Sequence, residues 1–199
     1  PLSDVYKRQE LFSTTGAMAS YADDPRFPGP DPYAPLGDLP SFELRSETFD
    51  EGEKLADEQA APTSVSPQLS WSGAPEETKS FAVTVFDPDA PTASGYWHWA
   101  AFNIPADVTE LPAGAGKEGD LGLGEKVRTL AGDSGEANYY GAEPPAGHGP
   151  HRYLVAVHAV DTETLDIPEG STSTVLGFNL YFHSLARAIT WGWYENEEE

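Results

Sequence analysis

Runs of hydrophobic positions along the chain predict a protein built mainly of β-strands. The stretches 81–86 and 97–104 are apolar or nearly so at both odd and even positions, which is typical of central strands buried on two faces. A similar strand is predicted over 152–160, and shorter strands are predicted over 42–49, 66–71 and 173–181. Because strands and helices do not alternate, the pattern favours an antiparallel β-sandwich over a doubly wound α/β fold.

One helix is predicted near the C-terminus. Phe182, Leu185, Ala186 and Ile189 recur at helical spacing, and Trp193 follows them. Between 108 and 141, Gly, Asp and Ala dominate and no period persists, so we expect a long irregular segment over the surface. The predicted fold class is therefore mainly β, with a C-terminal helix.

The chain has the length of one domain with tails. Residues 1–39 are predicted to form an extended or disordered lead-in, because prolines are dense between 25 and 40. We expect one domain over 40–194 and an acidic tail over 195–199. Residues 1–17 differ in character from the rest, and Met18 is the only Met, so we expect 1–17 not to be native.

The charge balance is strongly acidic, with 33 Asp and Glu against 11 Lys and Arg and a formal net charge of −22. This charge repels nucleic acid and anionic membranes, so neither is an expected partner. Salt would screen the self-repulsion, which predicts a protein adapted to a salt-rich cytoplasm; the alternative is an ordinary acidic protein.

Two further features narrow the class of protein. The absence of Cys excludes disulfides and thiolate chemistry. No apolar run approaches the roughly 18 residues of a membrane span, and no signal-peptide pattern is visible at the start. We therefore expect a cytoplasmic protein.

The residues suited to chemistry cluster at the loop ends of the predicted central strands. If these strands share a sheet with their loops at one rim, two carboxylates, two or three imidazoles and a phenol meet in one pocket. The residues concerned are Asp87, Asp89, His98, His148, His151 and Tyr153.

Each of these residues also has a purely structural interpretation. The Asp-Pro-Asp at 87–89 is typical of a turn whose carboxylates accept backbone hydrogen bonds. His98 fits a core histidine that donates a ring proton to a backbone carbonyl. His148 fits a loop surface, and His158 fits strand packing.

Three motifs resemble the phosphatidylethanolamine-binding protein family, also called the Raf-kinase-inhibitor-like family. They are DPDAP at 87–91, Trp-His-Trp at 97–99 and the PP to HRY segment at 144–153; segments 66–71 and 177–188 are closest to the prokaryotic YbhB/YbcL-type branch. The resemblance covers residues 40 to 194. It implies a Greek-key β-sandwich with a small pocket for phosphate, acetate or a phosphorylated head group. The ligand-binding residues it implies are Asp87, Asp89, Ala90, Pro91, His98, Pro144, His151 and Tyr153.

The resemblance implies a non-enzymatic protein that binds a small phosphorylated or carboxylate ligand without a cofactor. Eukaryotic relatives inhibit kinases or proteases through surfaces outside these motifs, so a kinase or protease partner stays an open alternative here. We expect the carboxylates to raise the pKa values of the imidazoles, so that a phosphomonoester binds more tightly as pH falls through about 6 to 7. Glu143 stands where several relatives have Gly, which places a carboxylate beside the expected anion.

Two other functions stay open. Asp and His side chains could bind Zn²⁺ in a metal-dependent hydrolase, although the sequence has no HExxH motif and no Ser or Cys in a nucleophile motif. A pure interaction module is the second alternative, in which Trp191 and Trp193 of the predicted helix pair two subunits as a homodimer.

Overall fold

The computed structural model describes residues 20–197. The expectations for residues 1–17 and Met18, and for the last two residues of the tail, lie outside this range. The described residues contain eight strands and one α-helix, with short 3₁₀ turns at Ala34–Leu36, Asp57–Gln59 and Ala115–Lys117. In chain order the elements are β1 (Glu43–Arg45), β2 (Leu69–Ser72), β3 (Ser80–Asp87), β4 (Tyr96–Pro105), β5 (Glu110–Leu111), β6 (Arg128–Thr129), β7 (His151–Val160), α1 (Ser173–His183) and β8 (Ser184–Tyr194).

The strands form two antiparallel sheets, which confirms the predicted class. The smaller sheet has the order β1-β2-β5, and the larger has the order β6-β4-β3-β7-β8. Every pairing between these strands is antiparallel. β3 lies between β4 and β7 and is therefore a central strand, as predicted.

Both faces of the larger sheet are covered. Val83 and Val85 of β3 pack in the main core with Leu69 and Trp71 of the smaller sheet. On the opposite face, side chains such as Ala82 pack in a second core that includes Leu176 and Leu180 of α1. The other members of this second core are Ala100, Phe102, Leu130, Val160, Leu165 and Ile167. Burial on two faces explains why these strands are apolar at consecutive positions.

The predictions for the last two elements are wrong. Residues 173–183 form a helix where a strand is predicted, and 184–194 form a strand where a helix is predicted. β8 pairs with β7 from Ser184 opposite Val160 to Tyr194 opposite His151, and its buried residues alternate around Ala186 and Ala188. The apparent helical spacing is a coincidence in a strand whose β-branched and aromatic residues suit a pleated sheet.

The helical period of α1 is hidden by exposed aromatic side chains. Leu176 and Leu180 are buried four residues apart, as expected for one helix face. Phe178, Tyr181 and Phe182 nevertheless remain 67%, 57% and 64% exposed. A helix that is apolar on several sides shows no clear amphipathic pattern.

The segment before the first strand packs against the larger sheet. Phe27 and Tyr33 are buried, and the ring of Phe27 meets Trp191 edge-on with centroids 5.7 Å apart. Arg152 joins this segment to β7, since its Nη1 donates to the Tyr21 carbonyl oxygen at 2.7 Å. Residues 20–39 therefore form part of the sheet's covering.

The long segment between β4 and β7 is mostly irregular, as predicted. It holds only the short strands β5 and β6 and one 3₁₀ turn. This segment brings Tyr140 and Glu143 to the end of the sheet where β3 stops and β7 starts. No helix within residues 20–197 has the length and apolar character needed to cross a membrane.

Candidate functional site

Asp87 ends β3 and is held by three hydrogen bonds. Its Oδ1 accepts from the backbone N–H groups of Asp89 at 2.8 Å and Ala90 at 3.0 Å. This is the turn geometry that the structural interpretation of the Asp-Pro-Asp segment describes. The other oxygen, Oδ2, is left to face His151.

His151 begins β7 next to the end of β3, because the two strands are antiparallel and Phe86 lies opposite Leu154. Its Nδ1 lies 2.8 Å from Oδ2 of Asp87, and the two side chains are only 2% and 4% exposed. The predicted meeting of these two loop ends is therefore present. Asp87 orients the His151 ring and fixes a proton on Nδ1.

His148 extends this pair to a third residue. Its Nδ1 lies 2.7 Å from Nε2 of His151, so one proton is shared between the two rings. His148 is predicted to lie on the loop surface, and its side chain is exposed, yet it contacts His151 directly. The turn that brings His148 back toward His151 is closed by the hydrogen bond from the His148 N–H to the Pro145 carbonyl at 3.1 Å.

A β-bulge places His98 on the same side as Trp99. Val85 lies opposite Trp99 and Phe86 lies opposite Trp97, so His98 is an extra residue in β4. Its Nδ1 donates to the Tyr140 carbonyl at 2.8 Å, as the structural interpretation expects. Nε2 is the ring nitrogen left for a ligand.

The expectation that the pKa of His98 is raised above its usual value is wrong. Burial is the main influence and lowers the pKa of His98 below 6.5, while the bond to Tyr140 and the charge of Asp87 oppose it more weakly. His98 is therefore uncharged at neutral pH. Because Nδ1 carries the proton, Nε2 presents a lone pair instead of a donor.

Asp89 is engaged in a second ion pair. Its Oδ2 accepts from the backbone N–H and Nε of Arg152 at 2.8 and 2.9 Å, and its Oδ1 accepts from Nη2 at 2.8 Å. Arg152 is fully buried. Asp89 thus anchors Arg152 and does not line the cavity described below.

Tyr153 also lies beside the cavity and not on its wall. Its ring meets His98 edge-on, with centroids 5.1 Å apart. Burial, together with the charge of Asp87, raises the pKa of its phenol. Tyr153 therefore supports the His98 ring as a neutral group.

A cavity of about 280 Å³ opens at this rim of the larger sheet. Six of the eight predicted ligand-binding residues line it, whereas Asp89 and Tyr153 do not. Further lining residues come from the hairpin turn and from the irregular segment and were not predicted from the sequence. The predicted residues are Asp87, Ala90, Pro91, His98, Pro144 and His151, and the missed ones are Thr92, Tyr96, Tyr140 and Pro145.

Glu143 brings a negative charge to the cavity wall, as the sequence comparison with relatives suggested. The hydroxyl of Tyr140 donates to its carboxylate, and this bond raises the pKa of Tyr140 to about 12. Tyr96 and Tyr140 also pack on the His98 ring, at centroid distances of 4.8 and 6.1 Å. The cavity is thus aromatic, with carboxylates at two places.

The described residues contain no group of three or more His, Asp or Glu side chains arranged to hold a metal ion. Asp87, His98 and His151 do share the cavity, and two of them are hydrogen-bonded to each other. Their arrangement can orient one imidazole and present another to a small polar ligand.

The chain is similar to known proteins of one family. A family model described as phosphatidylethanolamine-binding protein matches residues 45–195. The UPF0098 protein YbhB of Escherichia coli is 48% identical over 124 residues, which are 62% of this chain and 77% of YbhB.

Solved structures show the same likeness. Escherichia coli YbcL, described as a new member of the mammalian PEBP family, gives a TM-score of 0.74 with 40% identity over 79% of this chain and 99% of YbcL. A PEBP homologue of Chlamydia trachomatis gives a TM-score of 0.67 with 28% identity, over 79% of this chain and 99% of the homologue.

Proposed function

Because this chain belongs to the phosphatidylethanolamine-binding protein family, we propose that it binds a small phosphorylated or carboxylate ligand and leaves that ligand chemically unchanged. The observation that carries this proposal is the buried pair of Asp87 and His151 beside His98 in one cavity. The family model and the relatives confirm the family that the sequence resembles. The binding of this class of ligand is our proposal.

The size of the cavity supports a head group as the ligand. Its volume of about 280 Å³ lies just below the range for small-molecule sites, roughly 300–1,000 Å³. A phosphate or phosphomonoester head group fits this space. Acyl chains of a whole lipid would have to lie outside it.

The charges in the cavity require that an anion binds together with a proton. Asp87 and Glu143 repel an anion, and neutral His98 offers a lone pair on Nε2. Protonation of His98 turns this lone pair into a charged donor, which forms a stronger hydrogen bond to an anion. We therefore infer that ligand binding takes up a proton at His98.

The hydrogen bonds of Asp87 support binding over catalysis. Both of its carboxylate oxygens are engaged, one by two backbone amides and the other by His151. A carboxylate held in this way is a poor nucleophile or general base. We expect no hydrolysis of p-nitrophenyl phosphate above background, with or without added Zn²⁺; turnover that is lost on mutation of Asp87 would support the hydrolase instead.

The acidic composition supports a salt-rich cytoplasm as the place where the protein works. With a formal charge of −22, the chain repels itself unless salt screens it. A kinase or protease partner would have to present a basic surface to this protein.

Calorimetric titration with inorganic phosphate and with O-phosphoethanolamine tests the proposal. We expect one site, and a loss of about tenfold or more in affinity for His98→Ala and His151→Ala, since each removes a charge-assisted hydrogen bond. His183→Ala is the matched control, because His183 pairs with Asp161 at 2.8 Å outside the cavity. Equal affinities in all four proteins would refute the proposal.

A further inference from the structure

A second cavity lies beneath α1, on the face of the larger sheet that points away from the smaller sheet. Its volume is about 490 Å³, and it shares no lining residue with the cavity at the rim. Its walls are mostly apolar, with many aromatic side chains, and come from the sheet, from α1 and from the segment before β1. The aromatic lining residues are Tyr33, Phe86, Trp97, Phe178, Tyr181 and Phe182.

Polar groups without partners lie among these aromatic walls. His158 lines the cavity, is 4% exposed, and has no hydrogen-bond partner for its Nδ1 within residues 20–197. Nε of Arg187, another lining residue, likewise has no partner there. Buried donors of this kind are rare in folded proteins, since an unmade hydrogen bond costs free energy.

The protonation of His158 follows from its surroundings. Burial, reinforced by the charge of Arg187, lowers the pKa of His158 to about 3, so the ring is neutral. Its Nε2 lies 3.4 Å from Oγ1 of Thr84. With the Thr84 hydroxyl as donor, the ring carries its proton on Nδ1, which then needs an acceptor.

Arg187 supplies a positive charge to the same cavity. Its guanidinium lies 4.8 Å from the centroid of the Tyr33 ring, and no carboxylate of the described residues lies within 4.0 Å of it. Burial lowers the pKa of Arg187, while the charges of Tyr33, Tyr21 and Asp31 act more weakly in the opposite direction. In so acidic a chain, a partly buried cation without a close carboxylate favours an anionic partner.

We propose that this cavity binds a small carboxylic acid with an aromatic or branched apolar body. The carboxylate accepts hydrogen bonds from Arg187 and from Nδ1–H of His158. The body of the acid packs between the aromatic side chains of α1 and those of the sheet. A neutral apolar ligand would leave both donors without hydrogen bonds. A phosphorylated sugar is polar and would not pack against the aromatic walls.

A matched pair of probes tests the charge requirement. Calorimetric titration with 1-naphthylacetate and with uncharged 1-naphthylacetamide compares one body with and without the carboxylate. We expect the acid to bind at a site that persists in His98→Ala, and the amide to bind there about tenfold more weakly, because a charge-assisted hydrogen bond is lost. Arg187→Met should remove this preference while keeping the apolar stem of the side chain.

A size series at Gly177 tests the location. Gly177 lines the cavity on α1, and an added Cβ would meet nothing within 4 Å. Replacing a helical Gly also favours the helix, so these variants should fold. Gly177→Leu should weaken binding of the acid by about tenfold or more, because it fills the cavity, whereas Gly177→Ala and His98→Ala should keep most of the affinity.

Three outcomes would overturn the inference. Equal affinity for the acid and the amide would show that Arg187 does not bind the carboxylate. An unchanged affinity of Gly177→Leu for the acid would show that the probe binds outside this cavity. The exposed aromatic residues of α1 also permit a second copy of the chain as occupant. Sedimentation showing a dimer that Gly177→Leu dissociates, without any binding of the acid, would replace the proposed ligand by that second copy.

Discussion

Asp87 uses its two carboxylate oxygens for different contacts, and this division shapes the candidate site. Oδ1 closes the turn through two backbone amides, while Oδ2 orients His151. His98 is similar, since Nδ1 satisfies the Tyr140 carbonyl and Nε2 remains for a ligand. The structural and functional interpretations of these residues are therefore compatible.

His148 would compete with the proposed ligand for His151. Nδ1 of His148 is hydrogen-bonded to Nε2 of His151 at 2.7 Å, so a ligand that binds through Nε2 must first break this hydrogen bond. We expect His148→Ala to raise the affinity for phosphate about two- to tenfold, the equivalent of one neutral hydrogen bond. Calorimetry measures the change, with His183→Ala as control; weaker binding would mean that His148 itself contacts the ligand.

The lowered pKa of His98 determines how binding depends on pH. In the free protein this pKa lies below 6.5, and a bound anion raises it. Affinity should therefore increase as pH falls through the bound-state pKa, and should level off only below the free-state pKa.

Sulfate is the suitable probe for this effect, since its charge is constant over the range. We expect its affinity to rise about tenfold or more between pH 8 and pH 5.5, and most of this rise to be lost in His98→Gln. His148 and His151 lie at the same site, so His148→Ala serves as a second comparison. A flat profile in the wild type would contradict proton uptake at His98.

The central strands could be predicted from sequence because each is apolar on both faces. β3, β4 and β7 carry this signal through residues such as Val83, Ala101 and Val157, all buried in the main core. The order of α1 and β8 could not be predicted. The exposed Phe178 and Phe182 hid the helix, and pairing with β7, which is a tertiary contact, decided the strand.

The hairpin between β3 and β4 makes a prediction at the same scale. Gly95 has φ of +69°, and an added Cβ would lie 2.4 Å from Cζ of Phe86 and 2.8 Å from the Asp87 carbonyl oxygen. Gly95→Ala should lower the free energy of unfolding by about 2–4 kcal/mol, from strain at positive φ together with overpacking. It should also weaken phosphate binding, because the hairpin carries Asp87.

Gly73→Ala is the matched control for this substitution. Gly73 has φ of +81° and nothing within 4 Å of an added Cβ, so it reports strain alone. Denaturant unfolding gives both free energies. Equal losses at the two positions would show that the contact with Phe86 and Asp87 does not constrain the hairpin.

On the scale of the whole molecule, the site depends on contacts that no local pattern encodes. The meeting of two distant loop ends could be predicted because both flank strongly apolar strands and carry motifs of one family. The contribution of residues 20–39 could not be predicted, because Phe27 and Tyr33 find their partners only in the folded sheet. Tyr140 was hidden for the same reason within a segment that has no periodic pattern, whereas Glu143 was placed beside the pocket by the family resemblance.

The net charge makes a prediction for the molecule as a whole. Salt shortens the screening length from about 10 Å at 0.1 M to about 3 Å at 1 M. Added salt should therefore weaken the mutual repulsion of the acidic side chains that give the net charge of −22. We expect Tm to rise by about 5 °C or more between 0.1 and 2 M KCl. Sucrose at equal osmolality is the control for excluded-solute effects. A Tm that does not change with KCl concentration would contradict salt adaptation.

The five histidines of the chain allow the central claim to be tested directly by ¹H–¹⁵N correlation spectra of their rings during titration with inorganic phosphate. The rim cavity contains His98 and His151, whereas His158 and His183 lie elsewhere. We predict saturable shifts of His98 and His151, with the ring of His98 becoming protonated, while His158 and His183 stay unchanged. Unchanged spectra of His98 and His151, or equal shifts of all five rings, would contradict the account.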